Sequence, residues 1–596
     1  MCGIMGYIGD ENARDIVING LEELEYRGYD SAGIAVINNR HINIKKITGS
    51  PSKLWKLTEN IYGNIAIGHT RWATHGAATV ENAHPHTSQS GLFTVVHNGI
   101  IENFFELKTE LENSGVNFKS DTDTEVIAHL LEANYNGDLK GTVAKVLPRL
   151  TGSYALAILC NDYPDMIVCA KFSSPLFVGT AENSSFIASD VYAIAEKSSR
   201  LYRLNDNEIG LIKKGELKIF DLDGCRIRKS EIKLKAFDKY SDKNGYEHYM
   251  LKEIHEQPTA VRNTLAEIVN AENQIHFAGF KITSKAIKEL NNIIFVGCGS
   301  AYHVGTVGAY LCQSILRKTG YACIASEFRY MNPCLDSNTL VVIISQSGET
   351  ADTLAALRIA KKQGAKTVSI VNVENSTIAQ ESDNLIMTRA GKEVAVATTK
   401  AYSVQLAVVY SLIFYMSEKC GKITKAQAGK FISELKSIPE KAENILACAQ
   451  QYEQYADQII NAEYVCFIGR NLDYCTAMES ALKLKEISYI SCEAYAAGEL
   501  KHGTISLVDR GSLVFALCGC KEIKSKTVNN INEVTSRGAN VIKVSPDGDI
   551  SLPEVDDIFC PMIEIVPLQL VAYYTAKKKG CDIDKPRNLA KSVTVE

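Results

Sequence analysis

The 596-residue chain is short of the features that mark several protein classes. It lacks an excess of positive charge: 64 Lys and Arg against 69 Asp and Glu leave a net charge of −5, and no basic field invites nucleic acid. The short cluster Lys577, Lys578, Lys579 reads as a solvated helix face. It lacks an apolar run long enough to cross a bilayer. The longest, Val404 to Met416, contains Gln405 and Ser411 and fits a buried core helix. No basic segment followed by an apolar stretch opens the chain, so no secretory signal is expected. Cys2 stands where myristoylation would need a glycine. The 17 cysteines form no CxxC pair and no Cys/His group at zinc spacing, and Cys160, Cys169, Cys298 and Cys466 sit in apolar strand-like runs. Reduced thiols in a cytoplasmic protein without a bound metal are the expectation. There is no Walker motif, and in "GCGSAYHVG" Tyr302 replaces the third glycine of GxGxxG. Neither ATP nor a dinucleotide is indicated, and no cofactor is expected.

What is present is a chain too long for one core, with the 46% apolar and 22% charged residues of an ordinary globular protein. Up to about residue 220 short alternating runs ("GIAVIN", "IAIGHTRWA", "LFTVVHNG", "YALAIL", "MIVCAK") read as strands, with "TDTEVIAHLLEANY" as a helix. A layered α+β domain over 2–220 follows. The polar, aperiodic stretch that continues to 248 reads as a linker. From Tyr249 buried strands alternate with helices. "NIIFVGCGS" and "AEYVCFIGRN" are similar strands ending in Gly turns, at an offset of about 170 residues. This is one α/β unit with parallel strands, present twice, over 249–435 and 436–580. Residues 581–596 read as an irregular tail. The fold class is therefore α/β and α+β, in several domains.

The chain opens Met1-Cys2-Gly3. A small second residue permits removal of Met1, and Cys2 would then carry a thiol and a free α-amine. An α-amine with pKa about 7.7–8.0 can serve as base for its own thiol at neutral pH. A cysteine at position 2 says little alone. It is followed, in order, by "EYRGYDSAG" at 25–33, "GHTRWATHG" at 68–76, "NAHPH" at 82–86, "HNGIIEN" at 97–103 and "SDTDTE" at 120–125. These motifs resemble the signatures of the class II, N-terminal-nucleophile (Ntn) glutamine amidotransferases over residues 2–220. The resemblance implies Cys2 as nucleophile, with Asn98 and Gly99 of a "HNG" turn stabilising the oxyanion. It also implies a glutamine pocket in which Arg71 grips the α-carboxylate, Asp123 pairs with the ammonium, and Thr74 and His75 line the wall. His69, His84, His86 and His97 are expected to be structural.

In the repeated unit, "SQSGET" at Ser345 to Thr350 places hydroxyls, an amide and a Gly between a strand and a helix. Helix N-terminal N–H groups plus hydroxyls suit a phosphate monoester, although such turns are also ordinary caps. The unit resembles the sugar isomerase (SIS) domain. "ASEFRY", "SQSGETADTL", "ALKLKEISYI", "EAYAAGELKHG" and "DKPRNLAKSVTVE" together resemble the glutamine–fructose-6-phosphate aminotransferase family over essentially the whole chain.

That resemblance implies conversion of fructose 6-phosphate and glutamine to glucosamine 6-phosphate and glutamate, the first step of hexosamine (UDP-N-acetylglucosamine) synthesis. It implies Ser300, Ser345, Gln346, Ser347, Thr350, Val396 and Lys483 as sugar-phosphate binders. Lys591 would form a Schiff base with the open-chain ketose, Glu486 would move a proton between C1 and C2, and His502 would open the ring from the partner subunit of a homodimer. Trp72 would gate the passage of ammonia between the two sites. One departure stands out. Many relatives read Thr-Ser after "CG", and this chain has Ser300-Ala301, which loses one hydroxyl. Other class II amidotransferases need an ATP or ribose-diphosphate motif that the chain lacks. A phosphosugar-binding regulator would not need Lys591, Glu486 and His502.

Overall fold

The computed structural model describes residues 2–25, 28–38, 41–73, 75–232 and 242–594. The chain divides into two compact units, Met1–Phe237 with Ser592–Glu596, and Asp238–Lys591.

The first unit is built on two seven-stranded sheets. One runs Arg200–Arg203, Phe177–Ala181, Ser184–Ala188, Gly3–Gly9, Ile65–Arg71, Ser31–Asn38, His41–Thr48. The other runs Arg226–Ile227, Glu216–Phe220, Glu208–Lys213, Ile167–Phe172, Gly152–Cys160, Phe93–Ile101, His86–Thr87. Every strand pair in both is antiparallel. Successive side chains of a strand point to opposite faces, and the first strand uses both. Ile4 and Ile8 join Ile67, Val96, Ala157 and Ile187 in a core between the sheets. Met5 and Tyr7 pack beneath the helix Ala13–Glu23 on the outer face. Helices Phe104–Asn113, Glu125–Ala133 and Leu139–Val146 cover the second sheet. The result is the layered α+β architecture expected, with Cys2 at the start of a strand buried on both faces. The second sheet continues beyond residue 220, where the sequence reading began a linker. A turn through Gly224, at φ 82°, brings Arg226–Ile227 back to pair with Ile219 and Phe220. Two residues are too short to show an apolar alternation. Residues 233–241 of that linker lie outside the described residues.

The second unit contains two parallel five-stranded sheets, each in chain order 2-1-3-4-5. The first runs Thr319–Ile324, Asn292–Gly297, Thr339–Ser345, Lys366–Val371, Leu385–Met387; the second runs Cys492–Ala496, Tyr464–Gly469, Ser512–Leu517, Asn540–Ser545, Ile550–Ser551. These are the two doubly wound repeats read from the sequence. The correspondence extends to backbone detail. Gly299 (φ 53°, ψ −126°) and Asn471 (φ 53°, ψ −124°) turn each first strand into its helix in the same way. That region is open to glycine and strained for Asn.

The apolar run Val404 to Met416 forms the interior of the buried helix Lys400–Lys419. A second helix region, Asp557–Lys578, is apolar and long enough to cross a membrane, but 89% of its apolar window is buried inside the unit, as befits a core helix. The proposed break between repeats at 435/436 falls inside the continuous helix Lys425–Leu446, which starts at a Thr424–Gln427 capping box. Among the described residues beyond Lys578 there is no further helix or strand, and this segment is tied down. Asp584 accepts the amides of Tyr249 and Met250 (both 2.9 Å) at the start of the helix Tyr249–Ile268.

Candidate active sites

Cys2 immediately precedes the strand Gly3–Gly9, and its thiol sulfur accepts the Trp72 amide at 3.3 Å. Burial pushes the thiol pKa up, and nearby positive charge, the Trp72 contact and Arg71 oppose that push. Asn98 Nδ2 donates to the Cys2 carbonyl at 3.0 Å, and Asn98 Oδ1 is 3.1 Å from His69 Nε2. His69 Nε2 also lies 2.9 Å from the His97 carbonyl. Burial among other rings lowers the His69 pKa to about 3. A neutral ring with its proton on Nε2 satisfies both contacts, and Nδ1 has no hydrogen-bond partner. His69 stacks on His84 at 4.0 Å, and His84 meets His86 edge-on. All three rings are buried, and burial lowers their pKa values and favours the neutral form.

Asn98 and Gly99 do not form the turn read from "HNG". They lie within the strand Phe93–Ile101, paired with Ala155 and Tyr154. Gly99 has φ 137°, and a Cβ there would sit 1.9 Å from the Ser153 carbonyl oxygen, so the position requires glycine. Arg71 ends the strand Ile65–Arg71. Its guanidinium donates to the carbonyls of His75, Gly76 (3.1 Å) and Ala77 (3.2 Å), which folds the following loop around it. Asp123 is buried and accepts the Ile101 amide at 2.7 Å. Arg71 and Asp123 are near enough to act on the Cys2 thiol electrostatically, Arg71 lowering its pKa and Asp123 raising it. His75 packs edge-on against Phe104, and Trp72 edge-on against Tyr29. Thr74 lies outside the described residues.

In open α/β sheets ligands bind beyond the carboxyl ends of the strands where strand order reverses. In the first repeat that point lies between Asn292–Gly297 and Thr339–Ser345. Ser300 opens the helix after the former strand, and Ser345 to Thr350 follows the latter. Ser345 Oγ accepts the Gly348 amide at 3.0 Å and lies 3.2 Å from Thr350 Oγ1. Gly348, at φ 65°, turns the loop, and Thr350 precedes the helix Ala351–Lys362.

Ser300 Oγ donates to Glu479 Oε1 at 2.8 Å and accepts Lys483 Nζ at 3.1 Å. His303 Nδ1 lies 2.7 Å from the other Glu479 oxygen. Lys483 is fully buried, not on a solvated face. It sits 3.4 Å from Glu479 and 2.6 Å from Glu486. The Glu486 contact is a charge pairing and not an aligned hydrogen bond, because Glu486 Oε2 has no hydrogen-bond partner. Burial alone would push the Lys483 pKa down; the two carboxylates outweigh it and push it up.

Lys591 is paired with the fully buried Glu393 and lies 3.4 Å from Thr398 Oγ1. Glu393 also accepts the amides of Thr399 (3.0 Å) and Ala401 (3.1 Å). Burial raises its pKa, but Lys591 and those amides bring it below the ordinary range. Val396 donates its amide to the Asp584 carbonyl at 3.0 Å. His502 ends a short turn, is exposed, and makes no hydrogen bond to Lys591 or Glu486 among the described residues.

Glu479, His303 and Glu393 were not singled out from the sequence. Glu479 was within reach, since it precedes Lys483 by one helical turn. Glu393 lies in an irregular segment where no periodicity marks it.

Comparison with known proteins agrees with this division. A family described as "Glutamine amidotransferase domain" matches residues 55–216, and one described as "SIS domain" matches 286–415 and 458–574. Over 608 aligned residues the chain is 48% identical to the glutamine–fructose-6-phosphate aminotransferase [isomerizing] of Caldanaerobacter subterraneus subsp. tengcongensis, covering all of both chains. It is 45% identical to the protein of that name from Clostridium tetani, also over all of both chains. Among solved structures, the C-terminal domain of glucosamine-fructose-6-phosphate aminotransferase from Francisella tularensis aligns with 58% of this chain and 100% of its own, at 38% identity and TM-score 0.55. The chain belongs to the glutamine–fructose-6-phosphate aminotransferase (isomerizing) family.

Proposed function

We infer that the chain converts fructose 6-phosphate and glutamine to glucosamine 6-phosphate and glutamate, with glutamine cleaved in the first unit and the sugar isomerised in the second. The observation that carries the reading is the pairing of a Cys2 thiol centre with a Lys591 amine centre in one chain, in a family with this activity. Cys2 attacks the glutamine amide. Asn98 Nδ2 and the Gly99 amide stabilise the oxyanion; Asn98 already points at the Cys2 backbone, where it can exchange the carbonyl for substrate. Arg71 and Asp123 hold the glutamine carboxylate and ammonium, with Thr74 and His75 beside them.

In the second unit Ser345, Gln346, Ser347 and Thr350 hold the phosphate at the start of the helix Ala351–Lys362. Ser300, Lys483 and the Val396 carbonyl contact the sugar. Where Ala301 offers no hydroxyl, the Glu479-bound Ser300 is the remaining donor. Lys591 adds to the ketose carbonyl as a neutral amine, and the adjacent Glu393 is the group placed to take its proton. Glu486 carries the proton between C1 and C2. His502 opens the ring of a neighbouring chain's substrate in a cytoplasmic homodimer, and its exposure is consistent with that role. Trp72 gates ammonia transfer.

A coupled assay tests this reading. Purified protein with both substrates should give glucosamine 6-phosphate without ATP. Cys2→Ala should lose glutamine-dependent product and keep interconversion of the ketose and aldose phosphates. Loss of both activities in a folded Cys2→Ala protein, or product formation by that variant from glutamine, contradicts it.

A further inference from the structure

The second repeat has its own strand-reversal crevice, between Tyr464–Gly469 and Ser512–Leu517. Its lining differs from the first. Asp473 stands in the first turn of the helix Leu472–Ser488, Cys520 follows the strand Ser512–Leu517, and Cys560 and Glu564 lie one turn apart on the helix Cys560–Lys578. A carboxylate oxygen of Asp473 and the sulfurs of Cys520 and Cys560 all lie within 4.8 Å of one another. Asp473 and Glu564 are both 0% exposed, and Cys520 and Cys560 are buried.

Asp473 Oδ1 accepts the Cys520 amide at 3.2 Å; Asp473 Oδ2 and both Glu564 oxygens have no hydrogen-bond partner. Glu564 nevertheless faces Asp473 closely enough for one proton to be shared between the two carboxyls. Two carboxyl oxygens that face each other have no donor between them unless a proton or a cation sits there. No Lys or Arg forms an ion pair with either carboxylate among the described residues. The backbone closes in as well: a Cβ at Gly519 would lie 2.5 Å from Glu564 Oε1 and 3.1 Å from Cys560 Sγ.

Two buried carboxylates without a counter-charge are costly. Two thiols and one Asp473 carboxylate oxygen within 4.8 Å of one another offer three donors of the mixed S/O set that suits a tetrahedral zinc-class ion. A cavity of about 10 Å³ bordered by Gly519, Lys521, Pro546 and Cys560 adjoins the cluster at Cys560. We propose that Asp473, Cys520 and Cys560, with Glu564 beside them, form a buried site for a divalent cation of the zinc class, built into the second repeat where the first repeat has its hydroxyl loop. The ion would tie the starts of two core helices to the strand-end loop between them, and so acts on stability.

The test uses the full-length protein, stripped with chelator and reloaded with Zn²⁺ or Co²⁺. After desalting it should retain about one ion per chain. The Co²⁺ form should show thiolate-to-metal charge-transfer absorption. Zn²⁺ should raise the unfolding midpoint, and Cys560→Ser and Asp473→Asn should each lose the retained ion and that shift. Cys225→Ser, at an exposed cysteine outside the cluster, should change neither. Three outcomes overturn the proposal: no retained ion with all thiols free, which leaves a proton shared between Asp473 and Glu564; a Cys520–Cys560 disulfide in the peptide map; or retention unchanged in both cluster variants.

Discussion

In the first repeat of the second unit Ser345, Ser347 and Thr350 follow one strand end and Ser300 the neighbouring one; in the second repeat the corresponding strand ends adjoin the buried Cys520, Asp473 and Glu564. Strand order, the parallel ladder and the positive-φ turn at Gly299 or Asn471 are common to both. The backbone therefore sets where a ligand can sit, and a handful of side chains sets its charge. Hydroxyls and a helix N-terminus favour an anion. Buried carboxylates exclude one. The two repeats also lean on each other, because Glu479 and Lys483 come from the second while Ser300 and His303 come from the first.

The contrast can be broken at several points. The largest effect is expected at Lys591. Lys591→Ala should lower product formation by about 10³-fold or more, the scale of losing a covalent nucleophile, while glutamine hydrolysis continues. Glutamate release and glucosamine 6-phosphate measured in the same sample separate the two. Glu486→Gln should cost about 10²–10⁴-fold in kcat with little change in KM for the sugar, as expected for a proton carrier. Ser347→Ala, which removes one hydroxyl from the first repeat's loop, should raise KM for fructose 6-phosphate about 10-fold with kcat preserved, since one hydrogen bond to a charged group is worth ~1.5–3 kcal/mol. An unchanged KM would mean that the loop is an ordinary helix cap.

The smallest effect concerns Glu253, which accepts the Val394 and Ala395 amides next to Glu393. Burial, and then the Glu393 charge, push its pKa up. A carboxyl whose folded pKa is raised contributes stability that is fully present below its unfolded pKa and is lost as pH rises through the folded one. Stability relative to Glu253→Gln should therefore fall as pH climbs above the ordinary carboxyl range. Urea unfolding at about pH 5 and pH 8 compares the two proteins. A parallel pH dependence in wild type and variant would place the Glu253 proton elsewhere.

How far the sequence reached depends on how local the signal is. The parallel strands were legible because their apolar runs end in glycine turns, and the two repeats because those runs recur. Cys2 was singled out by its position and the motifs after it. Asn98 and Gly99 were read as a turn, because a positive φ inside a strand leaves the same glycine signal as a turn. Lys483 was singled out only through the resemblance, because its burial depends on Ser300 and Glu479, and Ser300 comes from another helix. Glu393 and the Asp473–Cys520–Cys560 cluster were invisible for a related reason. Their members lie far apart in the chain and meet only through the sheet topology.

The most direct test of the division of labour is borohydride reduction of the protein with fructose 6-phosphate, followed by peptide mass spectrometry. The account predicts one reduced sugar-phosphate adduct, on Lys591, formed equally by Cys2→Ala. An adduct on Lys483 or another lysine, or none in an active preparation, would contradict it.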